Sequence, residues 1–321
     1  MRLAAESNFL KSLKIMSHIS FSTIKTYIDN EIEYPFDMPF TTILGGNPSR
    51  GAKSPKLWNT AFASFGTNLK MLPMDVSKEN LPKILDQLSK NPLFLGGAIA
   101  APHKIAVANW LGDSLTAEAF RIGAVNCIFR NQSGDLVGTN TDGEAARAIL
   151  TQEFGCIKNR IILVLGGGGA GIAVAAYMSA EDGGAYQTFL ACKNNFPSVN
   201  KERILRISKV LQWSDISSIL PRVNVLINCT TLGSLDFEDE SPLSFSQLQQ
   251  LPDDSIVYDI IYQPKLTKLL ILASKRGLRV LNGIGMNLEQ AVIGFKYVFQ
   301  ENFGEITLDD IRRSMLTADK I

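Results

Sequence analysis

A chain of 321 residues is long for one domain, and 45% apolar against 20% charged residues describes a globular protein with ample core, not a disordered or fibrous one. A net charge of +1 and only two histidines, His18 and His103, argue against a nucleic-acid surface and a histidine-rich metal site. No apolar run reaches the length of a membrane span, and Cys127, Cys156, Cys192 and Cys229 lack C-x-x-C spacing, which suits reduced thiols in a cytoplasmic protein.

In chain order, residues 1–39 read as an N-terminal extension. Met1–Lys25 carries Arg2, Lys11, Lys14 and Lys25 against the single acid Glu6, with several serines, a faintly transit-like composition. The spacing of Leu10, Leu13, Ile15 and Ile19 favours instead an additional helix packed on the first domain. Regular structure is predicted to begin with a strand at Phe40–Gly45 and a loop, Gly46–Pro55, rich in Gly, Pro, Ser and Asn. A helix follows over Lys56–Gly66 with Leu57, Ala61, Phe62 and Phe65 inward, then a strand at Leu69–Val76 and a helix at Lys78–Ser89. Phe94–Ala100 reads as a small-residue strand, and Pro102 opens a helix, His103–Leu111. Ala124–Arg130 and Leu136–Gly138 read as two strands joined by the polar turn Asn131–Asp135. The cap-rich run Thr139–Gly143 precedes an alanine-rich helix to Phe154, with Asp142 as its cap.

The stretch Arg160–Ala176 has the strongest local signal. Five β-favouring residues, Ile161–Leu165, end in four glycines and a helix start, and Gly166, Gly168 and Gly171 meet the G-x-G-x-x-G spacing of a dinucleotide-binding turn. Glycine serves three purposes there: a sharp turn at Gly166, close backbone approach to a pyrophosphate at Gly168, and tight helix–strand packing at Gly171. The amides at the helix start then face the phosphates. A glycine-rich turn that binds nothing fits the same residues. Beyond it the pattern alternates: helix Gly169–Ala180, strand Thr188–Ala191, helix Val199–Val210, strand Val223–Asn228, strand Ser255–Ile260, helix Lys265–Arg276, strand Leu278–Leu281, and helices from Met286 and Leu308. Such alternation predicts an α/β fold with a doubly wound parallel sheet. The domains expected are a substrate domain over 40–139 plus 283–321 and a Rossmann dinucleotide domain over 140–282.

Two ionisable residues stand out by context. Lys104 follows Ala101-Pro102-His103, and Asp142 follows Gly138-Thr139-Asn140-Thr141. In one cleft, an ammonium and a carboxylate can pass a proton to or from a hydroxyl. A solvated helix lysine and an ordinary helix cap are the alternatives for each alone.

The ordered run of motifs resembles the shikimate dehydrogenase family from Thr41 to about Phe299. It comprises Ser54-Pro55 with Asn59, Ala101–Lys104, Ile122–Asn126, Gly138–Gly143, Val164–Gly171, Asn228–Gly233, Asp259 with Tyr262-Gln263-Pro264 and Thr267, and Gly283 with Met286 and Gln290-Ala291. The resemblance implies a substrate domain and an NADP-binding Rossmann domain with a cleft between them, and NADP-linked oxidation of a ring hydroxyl of shikimate or, in relatives, quinate. It assigns Lys104 and Asp142 as the catalytic pair. Asn126 and Gln290 match residues on ring hydroxyls, Ser54 one of two serines on the carboxylate, and Tyr262 a tyrosine near the substrate. Gly166, Gly168, Gly169, Ala170, Gly171, Lys193, Thr230 and Gly283 fall on the cofactor side.

The cofactor also has its own signal. The second strand of the glycine-bearing domain ends in Cys192-Lys193-Asn194-Asn195, which offers no carboxylate for the ribose hydroxyls of NAD. Lys193 stands where the family has an arginine on the 2′-phosphate. NADP is therefore expected, with NAD possible, and lysine grips phosphate as a point charge, not a fork.

The chain departs from the family at Ala52 (serine), at Ala98-Ile99-Ala100 (Asn-Val-Thr), at Trp58 (histidine) and at Cys127 (threonine). Ala52 and Ala100 each remove a substrate-facing hydroxyl, together about 2–4.5 kcal/mol or roughly 30- to 2,000-fold in affinity. Arg50, in the same loop as Ala52 and Ser54, is a candidate to hold the substrate's carboxylate in place of the missing serine. The alternatives to a shikimate or quinate enzyme are a paralogue acting on another small hydroxylated acid or amino-cyclitol, and a dinucleotide-binding regulator without turnover. The partners expected are a small-molecule substrate and NADP, with the chain a monomer or homodimer and neither nucleic acid nor membrane engaged.

Overall fold

The computed structural model describes residues 21–35, 37–179, 184–193, 205–299 and 306–317. As far as they are described, Met1–Phe120, Val125–Thr139 and Ala291–Ile321 form one compact unit, and Arg121–Ala124 with Asn140–Gln290 a second.

The first unit is built on a five-stranded sheet of β1 (Phe40–Gly45), β2 (Met71–Asp75), β3 (Phe94–Ile99), β4 (Cys127–Arg130) and β5 (Leu136–Thr139), in the order β2-β1-β3-β4-β5. β1 runs parallel to β2 and β3, whereas β4 is antiparallel to both β3 and β5. This sheet is therefore mixed, parallel over β2-β1-β3 and antiparallel at β4 and β5, as suits two strands joined by the polar turn Asn131–Asp135. The link from β4 to β5 is a turn closed by Gly134 N–H to Asn131 O at 2.9 Å, far too short for a parallel crossover. The helix Leu81–Lys90 buries Leu81, Ile84, Leu85 and Leu88 along one stripe of helical period. They join the core around Phe40, Met74, Phe94 and Ile128, onto which Ile24, Tyr27, Ile28, Ile32 and Tyr34 also pack. That much of the expected extension belongs to the core. The helical face read over residues 10–19 lies outside the described residues.

Three details correct the sequence reading in this unit. The helix Ser54–Ser64 starts two residues before the expected one and buries Trp58, with Ala61 and Phe62, while Leu57 is only half-buried. Pro102 lies in a turn before the helix Lys104–Leu111, so His103 takes the cap position. A short helix, Ala117–Ile122, that the sequence reading passed over spans the first junction between the units.

The second unit holds β6 (Ile161–Leu165), β7 (Gln187–Cys192), β8 (Lys209–Gln212), β9 (Val225–Asn228), β10 (Ile256–Asp259) and β11 (Arg279–Leu281) in the order β11-β10-β9-β6-β7-β8. Every pairing is parallel. Numbered within the unit, this is the doubly wound 3-2-1-4-5-6 order of a Rossmann sheet. Strands β6 and β9 are buried almost throughout because both faces are covered, which explains their continuous apolar runs. The helix expected over Val199–Val210 is found at residues 205–207 but ends early: Lys209–Gln212 pairs with β7 as the edge strand β8, and residues 199–204 lie outside the described residues. Val210 and Leu211 point to opposite faces of this strand, and each is half-buried.

The helix Asp142–Phe154 packs on the helix Gly169–Met178, the helix Lys268–Lys275 follows β10, and Ile284–Phe299 begins in this unit and ends in the other. The last crossing between units thus falls inside that helix, at 290/291. The segment between β9 and β10, left unread in the sequence, contains a short helix, Phe245–Leu248, started by a reciprocal Ser244/Gln247 capping box. No helix among the described residues is long and apolar enough to cross a membrane.

Candidate functional site

In the doubly wound sheet, ligands are held outside the carboxyl ends of the strands where the strand order reverses. Here that point lies between β6 and β9, and the four glycines follow β6 directly. Gly166 has φ +108°, a conformation side chains rarely adopt, and a Cβ there would lie 2.9 Å from the Cys229 carbonyl oxygen and 3.1 Å from the Thr230 nitrogen. A Cβ on Gly171 would sit 1.8 Å from the Gly166 carbonyl oxygen. By contrast, one on Gly168 would meet nothing within 4 Å. Gly168 is also the N-cap of the helix Gly169–Met178, and no side chain caps it. The turn therefore combines two positions shut by backbone, one position facing open space, and the free amides of Gly169 and Ala170 at a helix start. That arrangement fits a pyrophosphate and leaves room for it.

The turn leans on a buried polar network at the ends of β9 and β10. Asn228 Nδ2 donates to Asp259 Oδ1 (3.1 Å) and to the Leu232 carbonyl (3.2 Å), while its Oδ1 accepts from Thr230 N (3.0 Å) and Thr230 Oγ1 (2.7 Å). Asp259 also accepts from Ile261 N (3.0 Å) and from the Thr267 hydroxyl (2.7 Å), the cap of the helix Lys268–Lys275. Burial pushes the Asp259 carboxyl up to about 6, against the three hydrogen bonds that favour its ionised form. Ile261 leads to Tyr262, which is half-buried, and its carbonyl accepts from Gly283 N at 3.0 Å. Gly283 approaches so closely that a Cβ would lie 1.9 Å from the Ile260 oxygen. Thr230, Tyr262 and Gly283 are thus tied to one buried carboxylate. Asn228 and Asp259 were quoted in the motifs but given no role. The signal was a polar residue closing each of two otherwise apolar strands.

At the end of β7, Lys193 is exposed, and its Nζ lies 5.4 Å from the ring centroid of Trp213, just after β8. Trp213 is a second residue that the sequence reading missed, because only the pairing of β7 with β8 brings it beside Lys193.

Asp142 is the first residue of its helix and Thr141 the cap, which corrects the expected order; its N–H donates to Asn140 Oδ1 (3.1 Å) and its side chain is buried. Thr141 Oγ1 donates to the Gln290 carbonyl (3.1 Å), so Asp142 and Gln290 are neighbours through one residue, and the Gln290 amide donates back into its own helix at Asn287 (2.8 Å).

In the first unit, Lys104 is half-buried at the start of its helix, and its carbonyl accepts from Val125 N at 2.9 Å. The next residue, Asn126, is buried, with its carbonyl accepting from Ile99 N (2.7 Å). His103, before Lys104, is held by a 2.7 Å contact from Nε2 to the Val76 carbonyl. The loop after β1 meets this region through Gly46 N–H to the Ala101 carbonyl (3.0 Å). It carries Arg50, which is exposed, Ala52, which is half-buried, and Ser54, which is buried at the helix start. Lys104, Asn126 and the Arg50–Ser54 loop therefore gather at one end of this sheet. Among the described residues no group of three or more His, Cys, Asp or Glu could hold a metal ion, and none of the four cysteines forms a disulfide.

Comparison with known proteins gives a consistent picture. Residues 44–128 match the model of the shikimate dehydrogenase substrate binding domain. The chain is 34% identical to the shikimate dehydrogenase (NADP+) of Alkaliphilus oremlandii over 78% of its length and 88% of that protein's. It is 32% identical to the enzyme of the same name from Methanocaldococcus jannaschii over 80% and 90%. A solved shikimate dehydrogenase in complex with NADP+ superposes with a TM-score of 0.74 at 28% identity, covering 90% of this chain and 98% of that one. The Thermus thermophilus enzyme in complex with NADP(H) and shikimate gives 0.68 at 26%, covering 88% and 100%.

Proposed function

The chain belongs to the shikimate dehydrogenase family, and on that premise we propose that it is an NADP-dependent dehydrogenase oxidising a ring hydroxyl of shikimate, reversibly, or of a quinate-like acid. The observation that carries this is the open glycine turn at the switch point of the 3-2-1-4-5-6 sheet, in a chain whose relatives are named for NADP+. The fit of the turn to a dinucleotide supports a cofactor held by Gly166, Gly168, Gly169, Ala170, Gly171, Thr230 and Gly283, with Lys193 toward the 2′-phosphate. Bound there, NADP+ supplies the hydride acceptor. Lys104 and Asp142 then take up the hydroxyl proton as the carbon–hydrogen bond breaks, and return it in the reverse direction. Ser54, Asn126, Tyr262, Gln290 and Arg50 orient the ring. Several polar groups converging on a polyol discriminate strongly, because an analogue lacking one hydroxyl leaves its partner unpaired.

A specific observation favours a second substrate. Ala52, Ala98 and Ala100 are each half-buried with no hydroxyl or amide to offer, so a ring acid other than shikimate suits this pocket. The discriminating experiment is a panel of shikimate, quinate and other hydroxylated ring acids and amino-cyclitols with NADP+ and NAD+, followed by the absorbance of the reduced nicotinamide. Turnover with none of them, at protein concentrations that saturate with NADP, refutes the dehydrogenase and leaves a dinucleotide-binding regulator.

A further inference from the structure

We infer that Asp259 is a positioning residue for the dinucleotide turn: the carboxylate closing β10 sets the amide of Asn228, and through it the backbone on which that turn rests. The inference depends on the dinucleotide reading of that turn.

The reasoning is one of donors and acceptors. Above its titration an aspartate can only accept. Facing Asp259 Oδ1 at 3.1 Å, Asn228 has to present its amino group, so its oxygen points the opposite way. There it accepts both the amide and the hydroxyl of Thr230, at 3.0 and 2.7 Å. The Thr230 N–H, which can only donate, and the Leu232 carbonyl, which can only accept, suit the same orientation, and the carboxylate adds the charged partner that ties this side chain to β10. Asp259 and Asn228 are both wholly buried, so water does not substitute for either partner. The position so fixed matters because the Gly166 turn lies directly against Cys229 and Thr230, with no space even for a methyl group between them. The same carboxylate holds Ile261 N, and with it the loop bearing Tyr262 and the seat of Gly283. One buried group thus registers three loops at the carboxyl end of the sheet.

The test is direct titration of the full-length protein with NADP+, with circular dichroism, melting temperature and kcat measured alongside. Asp259→Ala leaves an Asn228 N–H, the Ile261 N–H and the Thr267 hydroxyl without their buried acceptor, and should weaken NADP+ binding by about tenfold or more, with kcat at saturating cofactor within about threefold. Asp259→Asn can point its amino group at the Thr267 hydroxyl and keep its oxygen for Asn228, so its affinity should stay within about threefold of the wild type. Thr267→Val removes only the bond on the far carboxylate oxygen; it should lower the melting temperature and leave affinity within about twofold. Wild-type affinity in folded Asp259→Ala overturns the inference, and so does an Asp259→Asn variant as weak as the alanine one. If Asp259→Ala does not fold, Asn228→Ala cuts the same link from its other end, and wild-type affinity there overturns it equally. A wild-type protein that binds no dinucleotide refutes the proposed function instead.

Discussion

Replacing Trp213 with leucine separates the charge of Lys193 from what holds that charge in place. Lys193 is exposed and its ammonium lies 5.4 Å from the Trp213 ring centroid. An exposed cation–π contact contributes about 0.5–1 kcal/mol, a factor of roughly 2–5. A hydrogen bond to a charged group contributes about 1.5–3 kcal/mol, a factor of roughly 10–150. If Lys193 meets the 2′-phosphate and Trp213 only holds Lys193, Lys193→Ala should lower the ratio of kcat/KM for NADP+ over NAD+ by about 10- to 150-fold, and Trp213→Leu by about 2- to 5-fold. The double variant should lose no more than Lys193→Ala alone, because the aromatic ring then has nothing to hold. Lys193→Glu should reverse the preference or abolish it. The assay is initial rate by nicotinamide absorbance with both cofactors at fixed ionic strength, since an exposed charge is screened by salt. An equal loss with both cofactors in Trp213→Leu would show that the indole supports the base or the scaffold. A wild type preferring NAD+ would remove Lys193 from the phosphate altogether.

Lys104→Ala and Asp142→Asn should each cut kcat by about 10²–10⁴ with NADP+ affinity nearly unchanged, and the double variant should be little worse than the poorer single one. Wild-type turnover in either single variant refutes their catalytic assignment. Arg50→Ala should raise KM for the true substrate with kcat nearly unchanged, and Ala52→Ser with Ala100→Thr should improve activity on shikimate by about tenfold or more. An inert double variant, in a protein that oxidises an uncharged polyol well, would mean the substrate is not an anion. The Asp259 carboxyl, raised by burial to about 6 in the folded protein, stabilises the fold most below its ordinary unfolded value near 3.8, and this contribution is lost as pH rises through 6. In urea unfolding, the wild type should therefore lose about 2 kcal/mol relative to Asp259→Asn between pH 4 and 6.5, and a pH-independent difference would refute the assignment.

Most strands were legible because burial on both faces leaves an unbroken apolar run, as in Ile161–Leu165, and a glycine that has to stay bare announces the turn after it. The strand β8 was not, since an edge strand carries only two apolar residues and its neighbours suited a helix. Trp58 was passed over in favour of Leu57 because both are apolar and adjacent; only the docking of helix Ser54–Ser64 against Phe295 and Phe299 decides which faces inward. Motif residues such as Lys104 and Asp142 could be named from their contexts. The partners that hold the loops in place, Asp259 for Thr230 and Trp213 for Lys193, depend on which strands pair, and no local pattern encodes that.

The departures from the family pattern fall into two physically different groups. Trp58 and Cys127 meet at one place: a Cβ on Gly294 would lie 3.6 Å from the Trp58 ring and 3.5 Å from the Cys127 sulfur. Both are buried, the indole meets Phe62, Phe295 and Phe299 edge-on, and burial pushes the Cys127 thiol up to about 12, so it stays protonated and inert. A larger ring and a thiol compensating around one glycine are a repacked interior, and the indole N–H left without a hydrogen bond is its cost, of about 1–3 kcal/mol. Ala52, Ala98 and Ala100 behave otherwise. They stay half-exposed, and a Cβ on Gly45 would lie 2.9 Å from the Ala100 Cβ. On the proposed function, substrate choice is therefore to be sought at these three half-exposed positions before the two in the core, and the activity of Ala52→Ser with Ala100→Thr on shikimate is its test.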